Sequence, residues 1–164
     1  MPKEYAHDPQ LIYRQYLHHV LYSKIGFDGD GVGPERSALE SGLADYIVAS
    51  FTGAPQIYRQ SYRVDVTDTL KIRSTQTGGY ADRYEGGRAW AGLFWHLRQT
   101  IGRELLDKVV LAAWFELDKK IAEQSIPSEM TTKVLAGITN NVDARTKTAV
   151  IDILSAHNAP RVSQ

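Results

Sequence analysis

The sequence predicts a mainly α-helical domain of about five to six helices, with one long irregular loop and at most a short β element. Three observations carry this expectation. Apolar residues recur at three- and four-residue steps over most of the chain, proline or a capping acid opens the periodic stretches, and glycine or asparagine closes them.

Asp8-Pro9 pairs a cap acceptor with proline at the first helical position. Leu11, Ile12, Leu17, Val20, Leu21 and Ile25 then form an apolar stripe, and Gly26 stops helix one. The loop FDGDGVGP carries a D-x-D-G echo of a calcium loop without the later ligands or the closing glutamate. Helix two is expected from about Pro34 to Thr52, with Leu39, Leu43, Tyr46, Ile47 and Phe51 on one face and Gly53 as terminator. Ala54 to Gly87 reads as irregular, with YRVDVTDTLKI a short strand or an extended lid and Gly86-Gly87 a turn. Loops this long inside a compact domain are commonly functional.

GRAWAGLFWHLRQTIG and RELLDKVVLAAWFELDKKIAEQ read as consecutive helices hinged near Gly102. Their Trp90, Phe94, Trp95, Trp114 and Phe115 are expected in the core, with His96 structural. A further helix starts at Ser128 and ends at Asn140-Asn141, and Asp143 caps the last, which carries Val150, Ile151 and Leu154. No repeat, low-complexity tract or linker interrupts residues 1–164, so a single domain is expected.

Hydrophobic residues at 43% and charged residues at 23% are those of a globular chain. Nineteen basic side chains balance nineteen acidic ones, so no overall field draws nucleic acid or an anionic membrane. Neither a Gly-rich phosphate loop nor a basic cluster with interleaved aromatics is present, and no nucleic-acid partner is expected. Cysteine is absent, which removes disulfides and thiolate metal sites. The start MPKEYAHDPQ has no apolar signal core and no run approaches membrane-spanning length, so no membrane partner is expected and the compartment stays open.

The chemistry concentrates in IYRQYLHHVLY. Arg14-Gln15-Tyr16-Leu17-His18 has the frame of an H-E-x-x-H zinc helix with only the second histidine in place. The chain then presents ALESGLADYIVASFTGAP, YADRYEGGRAWAGLFWHLRQTIG, an amphipathic helix pair and ILSAHNAP. This order of segments resembles the helical half of the gluzincin metallopeptidases of the thermolysin and fungalysin type, from roughly Leu11 to Pro160. SGLADYIVASFTG and AGLFWHLRQTIG are the most specific stretches. The resemblance implies a zincin-like helical subdomain, with the first zinc-ligand position on Arg14, the general base on Gln15, the second ligand on His18 and the third on Ser41. It also places Tyr84 near a transition-state-stabilising group. The β-rich half that holds extended substrate in that family is expected to be missing, leaving an apolar surface to be covered by another copy, a longer polypeptide or a partner.

Three of those four positions are chemically unsuited. Arg14 stays protonated and cannot coordinate a cation, Gln15 has no useful basicity, and Ser41 is a poor zinc ligand. A catalytic zinc needs three protein ligands and a proton acceptor near its water. Zinc is therefore disfavoured and no cofactor is expected. Two readings of Arg14 stand: an arginine packing its stem on neighbours, or a cation replacing the metal between helices one and two with Glu40 or Asp45 as partner. The expected function is a catalytically inactive, metal-free zincin-like domain with a protein-binding or assembly role, self-association included. Its residual cleft would be formed by Arg14, His18, Glu40, Ser41, Asp45 and Tyr84. The rival class is an active zinc metallopeptidase with irregular ligands or one completed by a second chain, and a small-ligand binder using the old cleft is a third.

Overall fold

The computed structural model describes residues 8–25, 33–58, 63–73, 80–118 and 120–160. Among these the chain is mainly α, with six helices and one two-stranded sheet. The calcium-like FDGDGVGP stretch lies largely outside the described residues.

Helix α1 (Pro9–Ile25) starts where its cap chemistry places it. The Asp8 carboxylate accepts the Gln10 N–H at 2.9 Å, and the Asp8 carbonyl takes the Leu11 N–H at 3.1 Å. Its inner stripe buries Leu11, Arg14 and Leu21, one and then two turns apart along one face. The outer stripe leaves Ile12, Tyr13 and Tyr16 exposed, and the Tyr13 ring meets Phe51 edge-on at 5.5 Å.

Helix α2 (Pro34–Thr52) is central, with α1 and three later helices packed around it. It is therefore buried on nearly every side rather than on one face, and Phe51, expected inside, is 63% exposed. Gly33 precedes it without a side-chain cap. Glu123 supplies one from a distance: its carboxylate accepts the N–H groups of Glu35 at 3.0 Å and Arg36 at 3.1 Å. Negative charge at this end of a helix is favourable.

The most extensive pairing joins α2 to α3 (Tyr80–Ile101). A side chain at Gly42 would bring its Cβ within 2.5 Å of the Trp90 Cβ and closer still to the Gly87 carbonyl. Gly86-Gly87 is accordingly no turn. Helix α3 runs through it, and glycine at Gly42 and Gly87 lets the backbones approach. That contact offsets the ~1 kcal/mol by which an interior glycine disfavours a helix.

Helix α4 (Arg103–Phe115) stops well before Gln124, although Leu117 stays in the core and Ile121 packs against it. Phe115 is exposed rather than in the core. A 3-10 turn (Glu123–Ser125) leads into α5 (Ile126–Thr139), which opens ahead of Ser128 with Pro127 in its first turn. Helix α6 (Ala144–Ala156) follows Asp143, whose carboxylate accepts the Thr146 N–H at 2.7 Å. Trp90, Phe94 and Trp114 fill the centre with Tyr46, Leu39 and Leu43. Phe94 lies 5.7 Å from both Tyr46 and Trp90.

Two described stretches, 54–58 and 63–73, lie between α2 and α3. Strands β1 (Gln56–Ile57) and β2 (Val64–Asp65) pair antiparallel, Gln56 opposite Asp65 and Ile57 opposite Val64. Residues 66–73 then cross α3 at Gly92, where any Cβ would collide with the Asp68 carbonyl. The chain end fastens this crossing. Ile72 N–H donates to the His157 carbonyl at 2.8 Å, and Asn158 Nδ2 donates to the Ile72 carbonyl at 3.1 Å. The His157 ring bridges inward, Nδ1 at 2.9 Å from the Leu70 carbonyl and Nε2 at 2.8 Å from His96 Nδ1. No helix among the described residues is long and apolar enough to cross a membrane.

Candidate functional site

Arg14 and His18 lie one turn apart on the inner face of α1, as their spacing requires. They face Glu40, Ser41 and Asp45 of α2. Earlier residues of α1 meet later residues of α2: Arg14 reaches Asp45, whereas His18 reaches Glu40. The two helices therefore run antiparallel through the site.

Arg14 is 5% exposed and Asp45 2%. Arg14 Nε donates to Asp45 Oδ1 at 2.7 Å, and Arg14 Nη2 donates to Ser41 Oγ at 2.7 Å. The guanidinium is thus divided between a carboxylate and a hydroxyl rather than forked on one carboxylate. Its carbon lies 5.9 Å from the centre of the Tyr84 ring on α3, at the outer reach of a cation–π contact. Ser41 is brought under Tyr84's helix by the Gly87 approach, since a Cβ at Gly87 would sit 3.2 Å from Ser41 Oγ.

Asp45 has another donor that the sequence did not single out. The Tyr58 hydroxyl donates to Asp45 Oδ1 at 2.7 Å, and the Tyr58 N–H donates to Gln10 Oε1 at 2.7 Å. Tyr58 holds φ at 61°, in the left-handed region that a bulky residue rarely adopts. Its tertiary partners sustain that conformation. No periodic or capping signal marks Tyr58 in the sequence.

His18 Nδ1 is hydrogen-bonded to Glu40 Oε1, and its ring stacks on Tyr22 at 6.2 Å. Glu40 is fully enclosed, and His18 is partly so. Arg14, Gln15, His18, Glu40, Ser41 and Tyr84 line one cavity of about 190 Å³. Asp45 does not line it but holds Arg14 from behind. Gln15 borders the cavity from an exposed position. The structure therefore brings all the sequence-selected positions to one place, with Asp45 buried behind Arg14.

Of the groups here able to ligate a metal, His18 and Glu40 engage each other, and Asp45 accepts from Arg14 and Tyr58. Among the described residues no group of three or more His, Asp or Glu is gathered to hold a metal ion. A dication a few ångströms from the Arg14 guanidinium would meet repulsion on the order of several kcal/mol.

A second, larger groove of about 1020 Å³ lies between residues 72–73, α5 and α6, lined by Ile72, Arg73, Pro127, Leu135, Leu154 and Pro160 among others. Sequence reasoning missed it, because it forms only where the fastened 66–73 stretch meets the two last helices.

No family model, no curated protein and no solved structure matches the chain.

Proposed function

We propose that the chain is a catalytically inactive, metal-free zincin-like domain that serves as a protein-binding or assembly scaffold. One observation carries the reading: where the resemblance would set two ligands and a third from the next helix, Arg14 is closed onto Asp45 and Ser41. A permanently protonated group with buried acceptors joins α1 to α2 without an ion. The neighbouring cavity persists, but its lining lacks a base placed beside an open coordination position. The unburied aromatic stripe of α1 supports a role in contact with protein.

The test is twofold. Metal-replete protein, dialysed and analysed by atomic emission, should retain no stoichiometric zinc and should leave unfolded casein intact. One equivalent of zinc that disappears in His18→Ala would overturn the reading. The zincin-like geometry is tested separately by Arg14→His, Gln15→Glu and Ser41→Glu together. If positions 14, 18 and 41 surround one point, the folded triple variant should bind one zinc; a folded variant that binds none removes the resemblance.

A further inference from the structure

We propose that His96 and His157 form a proton-operated latch on residues 66–73: the closed pair holds one added proton, and a second one frees the segment. The latch shares no residue with the α1–α2 cleft and stands independently of the scaffold reading.

Its chemistry follows from which atoms meet. His157 Nδ1 lies 2.9 Å from the Leu70 carbonyl, which can only accept, so Nδ1 carries a proton. In a neutral ring Nε2 is then bare, and His96 Nδ1, 2.8 Å away, must donate to it. The next proton enters at His96 Nε2, on a ring that is half-buried, whereas His157 is fully enclosed. The contact survives that step, because one proton still lies between the two facing nitrogens. A further proton puts a hydrogen on both facing nitrogens and a positive charge on both rings, whose centres are 5.1 Å apart. The pair then repels and the bond is lost.

The backbone carries the break outward. The His157 ring packs beside Gly92 of α3, and its carbonyl receives the Ile72 N–H. Displacing this residue withdraws the acceptor of Ile72 and the donor of Leu70, two of the ties that fasten the segment. Ile72 and Arg73 wall the large groove beside α5 and α6, so release reshapes that groove. Charge around the ring resists the extra proton. His96 from α3 and Lys71 from the segment itself both oppose it, and Asp68, the nearby acid of the segment, is held by Arg88 of α3 at 2.6 Å. The carboxyl end of α6 favours a cation, yet burial still holds the ring below the usual imidazole range.

Nuclear magnetic resonance on the ¹⁵N-labelled full chain reads both the rings and the backbone. At about pH 7.5, above the ordinary imidazole range, both histidines should carry their proton on Nδ1. His157 protonated on Nε2 instead overturns the proposal. Hydrogen exchange then follows the Ile72 amide. The open segment binds one proton more than the closed one, and each extra proton raises opening by up to about tenfold per pH unit. Protection of Ile72 should therefore fall at least about tenfold between about pH 6.5 and about pH 5, while the Leu43 amide in the middle of α2 keeps its own. Parallel loss at Leu43 is global acid unfolding and removes the latch. His96→Gln deletes one protonation site, and its amide can turn either a donor or an acceptor toward His157. It should keep Ile72 protected at about pH 7.5 and lose less of that protection at about pH 5 than the parent does. A slope equal to the parent's overturns the proposal, as does low protection at every pH, which marks a structural contact alone. His157→Gln retains a donor for Leu70 and should show the same weakened response, so that misfolding of one variant leaves the other to decide.

Discussion

Arg14 carries its charge into a space from which water is nearly excluded, and its two acceptors hold the α1–α2 junction closed. Breaking a buried pair from one side leaves the other charge stranded, at about 3–5 kcal/mol. Arg14→Met should therefore lower the melting temperature by about ten degrees in a domain of this size. Adding Asp45→Asn removes the stranded charge while keeping an acceptor for the Tyr58 hydroxyl, so the double variant should recover a substantial part of the loss. Calorimetry on the three proteins decides it, and an unchanged melt for Arg14→Met would sink the role assigned to this residue. The partner of Arg14 was half legible in the sequence. The resemblance, which set the third ligand position on Ser41, put the neighbouring Glu40 and Asp45 within reach, but the choice depends on the antiparallel crossing, which sends Glu40 to His18. Tyr58 was illegible, since nothing local announces a tyrosine held at positive φ by contacts on two other helices.

Among the elements, helix starts were readable because capping is local chemistry: Asp8-Pro9 and Asp143 act within three residues of where they stand. Gly86-Gly87 misled for the opposite reason. A turn and a close helix crossing both call for glycine, and only the neighbour across the gap distinguishes them. Gly42→Ala tests the crossing. Alanine favours an isolated helix over glycine by ~1 kcal/mol, yet here its methyl group would strike Trp90 and the Gly87 carbonyl. A net loss of about 1–3 kcal/mol is expected from urea unfolding. Gly53→Ala is the control. Its φ of 70° lies in the left-handed region with open space around it, so only backbone strain of about 1–2 kcal/mol should appear. If Gly42→Ala stabilised the protein, the close α2–α3 approach would be wrong. At the α2–α4 junction the Tyr46 hydroxyl donates to Asp107 at 2.5 Å; burial, then the Asp107 carboxylate, pushes it well above its ordinary range.

Across the whole molecule, sequence patterning pointed to the helical class, and it failed where exposure depends on what packs alongside. Phe51 and Phe115 fit apolar stripes but end on the outside, because α2 and α4 have neighbours on other faces. The chain's far end shows the same dependence. His157 is fully enclosed, and burial holds its ring below the usual imidazole range, with His96 and Lys71 adding to the effect against the Leu70 carbonyl. The unfolded chain takes up that proton near pH 6.5, whereas the folded chain resists it to lower pH. Stability from this group is therefore complete above about pH 6.5 and declines as pH falls through and below that value. Melting temperature measured from about pH 7.5 down to about pH 5 should drop in the parent and change less in His157→Gln. Equal slopes would remove His157 as the cause.

The remote carboxylate at the head of α2 has a temporal side. The helix that presents Ser41 and Asp45 has Glu35 in its own first turn, but the carboxylate that accepts its leading N–H groups comes from Glu123, eighty-eight residues beyond Glu35. A ribosome must deliver the chain through Glu123 before those N–H groups can meet this acceptor. A premature stop in the connection after α4 would remove that acceptor without altering any residue that borders the cleft.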